Sequence, residues 1–315
     1  MARRDEHDAS MELAGGRWDD RRDSAWSEAL FGLTCLVCGA SGARDGLGCD
    51  EHRLRLDRVP RCQHCAAPLP PALAAASSCG ACRRAHALPN SAATRVERAH
   101  CVGDYDDPLL RELVLSFKHG GRPGLAPHLG ALLHACSLHR SSSEDGRDDE
   151  HGEPRHGDLL VPVPLHPARR LERGYDQARL LADGVAAAAP VGFHSCRAVL
   201  RRVRATAPQG ATGLLSREDN VHRAFAPAWP DTWSRRLVRD RRVWLVDDVW
   251  TSGATLRACA AVLRDMGVAW CGALVVARAS RAARTATAPD EDAVDTASAR
   301  TALEGSRLDA TAIDG

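Results

Sequence analysis

The chain has 315 residues, of which 42 are Lys or Arg and 41 are Asp or Glu, so its formal net charge is only +1. This balance gives no global electrostatic argument for a nucleic-acid or membrane partner. The length allows one sizeable core together with a small module or tails. No stretch is apolar enough to span a membrane, and the amino terminus lacks the apolar core of a signal peptide, so we expect a cytoplasmic protein without a membrane partner.

The 12 cysteines indicate metal binding more than disulfides in a reducing compartment. Two sets have the spacing of zinc knuckles, and each offers the four ligands of a tetrahedral structural zinc ion. They are Cys35, Cys38, Cys49 and His52, and then Cys62, Cys65, Cys79 and Cys82. Three alternatives stay open: His64 competes with His52, ligands pair across the two sets, or the cysteines are disulfides or buried thiols. We expect two structural zinc ions and no metal catalysis at these sites.

Composition divides the chain into four parts. Residues 1–30 and 281–315 predict disordered tails, because they are polar or contain few aromatic residues. The cysteine-rich residues 31–90 predict a zinc-binding module, and residues 91–280 a larger domain. The acidic run within 141–158 predicts a disordered insert in that domain.

Strand and helix patterns follow one another through the larger domain. We predict strands at 94–105, 159–164, 198–206, 224–225, 243–246 and 272–277, and helices at 107–118, 125–138, 175–188 and after residue 255. The prolines in 159–164 predict an irregular or terminal position in the sheet. The arginine-bearing segments 165–174 and 235–242 are predicted to be turns.

The stretch from Val243 to Thr255 carries the clearest sign of a binding site. An apolar run ends in two adjacent carboxylates, Asp247 and Asp248, which can accept hydrogen bonds from sugar hydroxyls or hold Mg²⁺. The small and hydroxyl residues of the next loop are Thr251, Ser252, Gly253, Ala254 and Thr255. Because this loop opens a helix, its main-chain N–H groups and the helix dipole favour an anion. The stretch predicts a ribose 5-phosphate site; the alternative is a buried strand with a solvated acidic turn.

A second anion site is predicted before the helix at 175–188. Arg169, Arg170, Arg173 and Gly174 lie in the segment between a strand and that helix, which suits a diphosphate. A solvated basic turn is the alternative. Lys118 is the only lysine of the chain, which suggests that a compact point charge is wanted there, although chance retention is an equal alternative.

The order of these motifs resembles the ComF family, competence-associated proteins with an N-terminal zinc module and a type I phosphoribosyltransferase domain. The stretch around Asp247 resembles the signature with which type I phosphoribosyltransferases bind phosphoribosyl pyrophosphate (PRPP). The resemblance also rests on the knuckle cysteines, Phe117-Lys118, Val161-Pro-Val-Pro-Leu-His-Pro, Arg169-Arg-Leu-Glu-Arg-Gly-Tyr-Asp-Gln-Ala, and Gln209 with Arg217 and Asn220. It covers about residues 30 to 280.

The resemblance implies a type I phosphoribosyltransferase fold, a parallel sheet flanked by helices, with a small zinc-ribbon-like module. It implies catalytic residues at Asp247 and Asp248, a 5-phosphate site at 251–255 and a diphosphate site at 166–174, to which we add Lys118. Gln209 and Arg217 are expected on a mobile loop over the substrate. Departures from the family pattern are His52 in place of cysteine and Asp176 in place of asparagine, which adds negative charge beside the diphosphate segment.

The implied function is transfer or recognition of ribose 5-phosphate from PRPP with Mg²⁺, with an unknown acceptor and a link to competence and DNA uptake. The alternative is a non-catalytic PRPP or nucleotide sensor that handles single-stranded DNA or contacts proteins of the competence machinery.

Overall fold

The computed structural model describes residues 35, 38, 40, 59–73, 76–89, 91–139, 157–189, 193–204 and 224–279. The chain divides into two units, Met1–Arg53 and Leu54–Gly315, and every helix and strand given below lies in the second. The predicted tails, most of the predicted insert, and Cys49, His52, Gln209 and Arg217 lie outside the described residues.

A parallel sheet of five strands, in the order β1–β7–β6–β2–β3, is the centre of the described fold. Its strands are β1 (Arg98–Asp104), β2 (Leu159–Pro162), β3 (His194–Ser195), β6 (Arg242–Trp250) and β7 (Trp270–Arg278). Two further strands, β4 (Leu200–Arg202) and β5 (Phe225–Pro227), form a separate antiparallel pair.

Helices lie along the chain before and between these strands. They are α1 (Gly80–His86), α2 (Ser91–Thr94), α3 (Pro108–Lys118), α4 (Ala126–His139), α5 (Pro167–Arg173), α6 (Gln177–Ala188), α7 (Asp231–Val238) and α8 (Ala254–Asp265). The predicted α/β class, a parallel sheet flanked by helices, is confirmed. None of the described helices combines the length and the apolar character that crossing a membrane requires.

The sheet is covered on both faces, which explains why its central strands are almost continuously apolar. Along β6, Val243 and Leu245 belong to the buried cluster that contains the apolar side of α8. Successive side chains of a strand point to opposite faces, so Trp244 and Val246 face the other side, where α4 and α6 pack on the strands. Because the strands are parallel, their carboxyl ends lie together at one end of a sheet whose two faces are both buried.

The helix after the candidate loop has one apolar face. Leu256, Ala260, Leu263 and Met266 are all buried. Gly267, at φ +89°, follows the helix end in a conformation that favours glycine. This face fixes α8 against the sheet and so fixes the loop that precedes it.

Two segments predicted as turns contain helices. Residues 235–238 form the second half of α7, and residues 239–241 connect that helix to β6. Val238 is buried, while Arg235 forms ion pairs with Asp231 and Asp265. The arginines therefore occupy the solvent side of an amphipathic helix, which their density hid. Residues 167–173 form α5, with Pro167 in its first turn and Gly174 as its C-cap at φ +77°. Proline at the start and glycine at the end are helix signals that the arginine content obscured.

The position predicted for the proline-containing strand needs a correction. β2 lies between β6 and the two-residue β3, so it does not form an edge of the described sheet. The strand tolerates its prolines because it ends at Pro162.

Candidate ligand site and cysteine cluster

The acidic pair lies near the carboxyl end of β6, the central strand of the sheet. Asp247 Oδ1 accepts a hydrogen bond from the main-chain N–H of Asp248 at 2.9 Å. Lys118 reaches the pair from the last residue of α3, with its Nζ 3.1 Å from Asp248 Oδ1. The side chains of Lys118 and Asp248 are 22% and 14% exposed, so this ion pair is largely removed from solvent. The single lysine of the chain thus lies against the predicted catalytic pair.

Burial and mutual repulsion both act on the acidic pair. Burial and, to a smaller extent, the neighbouring Asp248 raise the pKa of Asp247 to about 7, against the opposite effects of Lys118 and Arg202. Burial alone would lower the pKa of Lys118, but Asp248 and Asp247 outweigh it, so that pKa is raised. A cation placed beside these carboxylates would relieve the repulsion between them.

The loop predicted to bind a phosphate, called the phosphate loop and defined here as Thr251–Thr255, joins β6 to α8. Thr251 and Ser252 are exposed, whereas Gly253 is buried. Gly253 has φ +78°, and a Cβ there would lie 2.5 Å from Trp250 Nε1, so both backbone conformation and space require glycine. The Ser252 hydroxyl accepts from the N–H of Ala254 at 3.3 Å, which leaves the loop turned tightly into the helix.

The three arginines predicted for a diphosphate site lie on α5. Arg169 and Arg170 are exposed, and Arg173 is half-buried. The Nε of Arg173 is buried and has no hydrogen-bond partner among the described residues. His166 caps the helix, since its Nδ1 accepts from the N–H of Ala168 at 3.3 Å. The segment therefore presents its positive charge from a short, capped helix.

Contacts between α3 and the start of α6 hold Lys118 in position. The Tyr175 hydroxyl donates to the carbonyl oxygen of Phe117, and Gln177 Nε2 donates to the carbonyl oxygen of Lys118 at 3.4 Å. Between them, Asp176 Oδ1 accepts from the N–H of Arg179 at 3.2 Å and caps α6. Burial raises the pKa of Asp176. The departure from asparagine at this position therefore supplies a helix cap, a role that both side chains can fill.

The cysteine cluster, defined here as Cys62, Cys65, Cys79 and Cys82, brings the second predicted ligand set together. All four sulfur atoms lie within 4.8 Å of one another. Main-chain N–H groups of Cys79 and Cys82 donate to the sulfurs of Cys62 and Cys79 at 3.3 Å and 3.4 Å. Hydrogen bonds from the Cys65 and Cys82 side chains lower the pKa of Cys62. Four cysteines in this arrangement can hold one metal ion with no open position.

The first ligand set is only partly described. Cys35 is buried and Cys38 is exposed, and the N–H of Cys35 donates to the carbonyl oxygen of Ala40 at 2.7 Å. Cys49 and His52 lie outside the described residues, so a metal ion held by this set stays a prediction. His64, the predicted competitor of His52, hydrogen-bonds through Nδ1 to Val96 and through Nε2 to Gln63.

Comparison with known proteins identifies the family. No family model matches the chain. Competence protein F of Haemophilus influenzae is 27% identical over 241 residues, which cover 76% of this chain and 94% of that protein. DNA utilization protein YhgH is 30% identical in Escherichia coli K12 and 32% identical in Salmonella typhi, each over 179 residues that cover 56% of this chain and 71% of the relative.

The chain belongs to the ComF family. The fold expected of a ComF protein is present as the parallel sheet flanked by helices, with the cysteine cluster in the amino-terminal part of the chain. Among solved structures, the allosteric regulatory enzyme of purine biosynthesis has a TM-score of 0.30 and 18% identical residues, over 51% of this chain and 30% of that one.

Two arginines near the candidate site were not predicted from the sequence. Arg202 of β4 lies close enough to Arg169 and Asp247 for their charges to act on its pKa, which burial lowers most. Arg278, the last residue of β7, donates to the carbonyl oxygens of Trp250 and Thr251, both at 2.8 Å. Its position after eight uncharged residues of a buried strand was the available signal, because a charge there needs partners.

Proposed function

We propose that this ComF protein binds PRPP and acts on its 5-phosphoribosyl group as a phosphoribosyltransferase. The observation that carries the proposal is the continuous series of groups at the carboxyl end of β6. An acidic pair paired with Lys118 is followed at once by a glycine-containing loop that opens a helix. Ligands of α/β proteins bind outside the carboxyl ends of the strands, where these groups lie.

The phosphate loop would anchor the 5-phosphate. Thr251 and Ser252 are exposed and offer hydroxyl donors, and α8, which begins at Ala254, adds the positive end of its dipole. Gly253 keeps the turn free of a side chain. This anchor is remote from the reacting carbon, so its binding energy would position the sugar for reaction.

Asp247 and Asp248 would hold the ribose hydroxyls, directly or together with Mg²⁺. Their carboxylate oxygens are ligands of the kind that a hard divalent cation prefers, and the repulsion by which Asp248 helps to raise the pKa of Asp247 supports a cation at this position. When bound, Mg²⁺ would supply positive charge to the leaving diphosphate. Lys118 would neutralise Asp248 until ligand and cation bind, and its ammonium group would then be available to the diphosphate.

The arginines of α5 would stabilise the leaving group. In the proposed reaction the bond between the anomeric carbon and a diphosphate oxygen breaks, a bond from the acceptor to that carbon forms, and diphosphate leaves with the bonding electrons. Arg169, Arg170 and Arg173 would bind the charge that develops on the diphosphate. The buried Nε of Arg173, which has no partner among the described residues, supports a ligand at this position. Gln209 and Arg217 stay proposed for the mobile loop.

We further propose that the ion in the cysteine cluster is zinc and that its role is structural. Four sulfur ligands favour Zn²⁺, and a closed tetrahedral site leaves no position for a substrate. A cytoplasmic location, in which the thiols stay reduced, is part of the same proposal.

A second candidate function follows from the names of the relatives, competence protein F and DNA utilization protein. In this version the site senses PRPP or a nucleotide, and the protein handles single-stranded DNA or contacts competence proteins. Retardation of single-stranded DNA that weakens steeply with salt and changes on addition of PRPP supports this candidate, whereas no retardation at low salt removes it.

The experiment that tests the site is calorimetric titration of PRPP with Mg²⁺ into zinc-loaded protein. We expect binding to the wild type and none to Asp247→Asn/Asp248→Asn. The matched control is Asp231→Asn/Asp265→Asn, which removes two carboxylates that pair with Arg235 and should leave binding unchanged. Turnover of PRPP stimulated by an acceptor would separate a transferase from a sensor. Absence of binding to folded wild type would contradict both.

A further inference from the structure

Arg278 joins two parts of the molecule that carry groups suited to ligands. Its Nε donates to the carbonyl oxygen of Cys65 at 2.8 Å, and its Nη1 donates to those of Trp250 and Thr251, both at 2.8 Å. A third bond from Nη1 reaches Ala279 at 2.6 Å. Arg278 is 8% exposed. A single buried guanidinium thus connects the main chain of the cysteine cluster with the start of the phosphate loop.

These bonds set the direction of main-chain N–H groups in the phosphate loop. The carbonyl of Trp250 shares a peptide plane with the N–H of Thr251, and the carbonyl of Thr251 shares one with the N–H of Ser252. In a trans peptide the oxygen and the N–H point in opposite directions. Because Arg278 holds both oxygens on its own side, both N–H groups point away from it. An anion-binding loop needs N–H groups that are oriented before the ligand arrives.

The buried positive charge of Arg278 also connects it with the cysteine cluster. Among the described residues, all of its hydrogen bonds end on main-chain oxygens, and no carboxylate forms an ion pair with it. A buried charge is costly unless opposite charge lies near. Four thiolates around a divalent ion carry a net double negative charge. The Cys65 carbonyl that accepts from Arg278 belongs to one of these ligand residues, so a metal-loaded cluster would provide opposite charge close to the guanidinium.

We propose that Arg278 is a positioning residue that couples the metal-loaded cysteine cluster to the phosphate loop. Loading of the cluster stabilises the buried guanidinium, and the guanidinium in turn orders the loop. Because coupling between two sites is reciprocal, ordering of the loop also stabilises the loaded cluster. The proposal rests on the proposed function only where it takes the loop to bind a phosphate; the coupling itself concerns the protein without substrate.

The test compares zinc-loaded wild type, Arg278→Lys and a matched control, Arg264→Lys, in the full-length chain. Lysine keeps the positive charge but cannot span acceptors on two sides as a guanidinium does. Arg264 is also bonded to carbonyl oxygens, at 3.0 Å to Val268 and 2.7 Å to Ala269, and it pairs with Glu97 at the other end of α8. Its replacement should cost comparable hydrogen bonds without touching the phosphate loop.

Two readouts follow the coupling without any activity measurement. The first is amide hydrogen exchange of the peptide that contains Trp250–Thr255, and the second is the rate at which zinc passes to a chelator. For Arg278→Lys we expect loop exchange and zinc loss to be faster by about tenfold or more, because hydrogen bonds from a charged donor are lost at both ends. For Arg264→Lys we expect neither quantity to change by more than about twofold, since its bonds lie elsewhere.

Three outcomes overturn the proposal: no change in Arg278→Lys, equal changes in both variants, or a loosened loop with unchanged zinc loss. If Arg278→Lys does not fold, the coupling is tested by titrating the wild type with chelator. As zinc is removed, amide hydrogen exchange should rise in the phosphate loop before it rises in β7. A simultaneous rise in both contradicts the coupling. Calorimetry with PRPP and Mg²⁺ on the same samples keeps the two questions apart, because failure to bind overturns the proposed function and leaves the coupling result intact.

Discussion

At the scale of single residues, the candidate site combines features that reduce stability with features that suit a ligand. Asp247 is a carboxyl group whose pKa is raised to about 7, mainly by burial. Gly253 has a backbone conformation and a neighbour, the Trp250 indole, that admit no side chain. Such groups destabilise the protein when no ligand is bound, and a bound cation or anion would stabilise them. This combination is typical of binding sites.

The raised pKa of Asp247 predicts a pH-dependent stability. A carboxyl whose pKa is higher in the folded state binds its proton more tightly there, so its contribution to stability falls as the pH rises from about 4 to about 7 and stays low above. We expect Asp247→Asn to be more stable than the wild type at about pH 8, by at most about 4 kcal/mol, since one pKa unit corresponds to about 1.4 kcal/mol. The gain should vanish near about pH 4.

Urea unfolding of both proteins across this pH range measures the effect. Asp265→Asn is the control, because the Asp265 side chain is 74% exposed and its replacement should give a difference that is small at every pH. A stability difference between wild type and Asp247→Asn that is constant with pH, or that grows toward low pH, would contradict the prediction.

At the scale of elements, packing between helices places the residues of the site. Tyr175, just before α6, and Gln177, its first residue, bond to the last two residues of α3 and so hold Lys118 beside Asp248. Helix α6 in turn packs against α4, where a Cβ at Gly130 would lie 2.4 Å from the main chain of Gly184. The two glycines allow the helix backbones to approach closely, which is what brings α6 to this position.

Replacement of Gly130 by alanine should force α4 and α6 apart. We expect Gly130→Ala to destabilise the protein by about 3 kcal/mol, because the clash is with main-chain atoms that cannot change rotamer. Gly124→Ala is the matched control, since a Cβ at Gly124 has no atom within 4 Å, and its effect should stay within about 0.5 kcal/mol. Denaturant unfolding measures both, and equal effects of the two substitutions would refute the argument.

At the scale of the whole molecule, the cysteine cluster is part of the main core. Cys62, Cys65 and Leu69 belong to the same buried cluster as β6, β7 and α8. Arg61, the residue before Cys62, adds a bond to Asp104 at the end of β1, at 2.8 Å. The amino-terminal boundary predicted near residue 90 remains a prediction, but the described contacts show that the cluster and the sheet share one core. Loss of a metal ion held by the cluster should therefore weaken the sheet as well as the cluster.

Replacement of one ligand tests this dependence. We expect Cys62→Ser to lose one equivalent of zinc and to unfold at a temperature lower by on the order of 10 °C, because metal binding contributes directly to folding free energy. Cys196→Ser is the control, since Cys196 is half-buried outside the cluster. Zinc content and thermal unfolding measure both variants. An unchanged unfolding temperature in Cys62→Ser that has lost its zinc would show that the core does not depend on the metal.

The sequence by itself determined the features that arise from neighbouring residues and short spacings. The periodic apolar residues of α8, the buried strand before Asp247 and the spacing of Cys62, Cys65, Cys79 and Cys82 each carry their information within a few turns of chain. The order of motifs was enough to predict the family and the α/β class, because each motif needs its residues in one fixed succession.

Only the tertiary structure decided which distant residues meet. The contact of Lys118 with Asp248, the approach of Gly130 to Gly184, and the bonds of Arg278 to Cys65 and Thr251 join residues that are far apart in the chain. The helices α5 and α7 were hidden by their arginines, since local charge suggests a turn while burial of one face favours a helix. Such contacts depend on how the elements pack, and packing is a property of the whole core that no local pattern records.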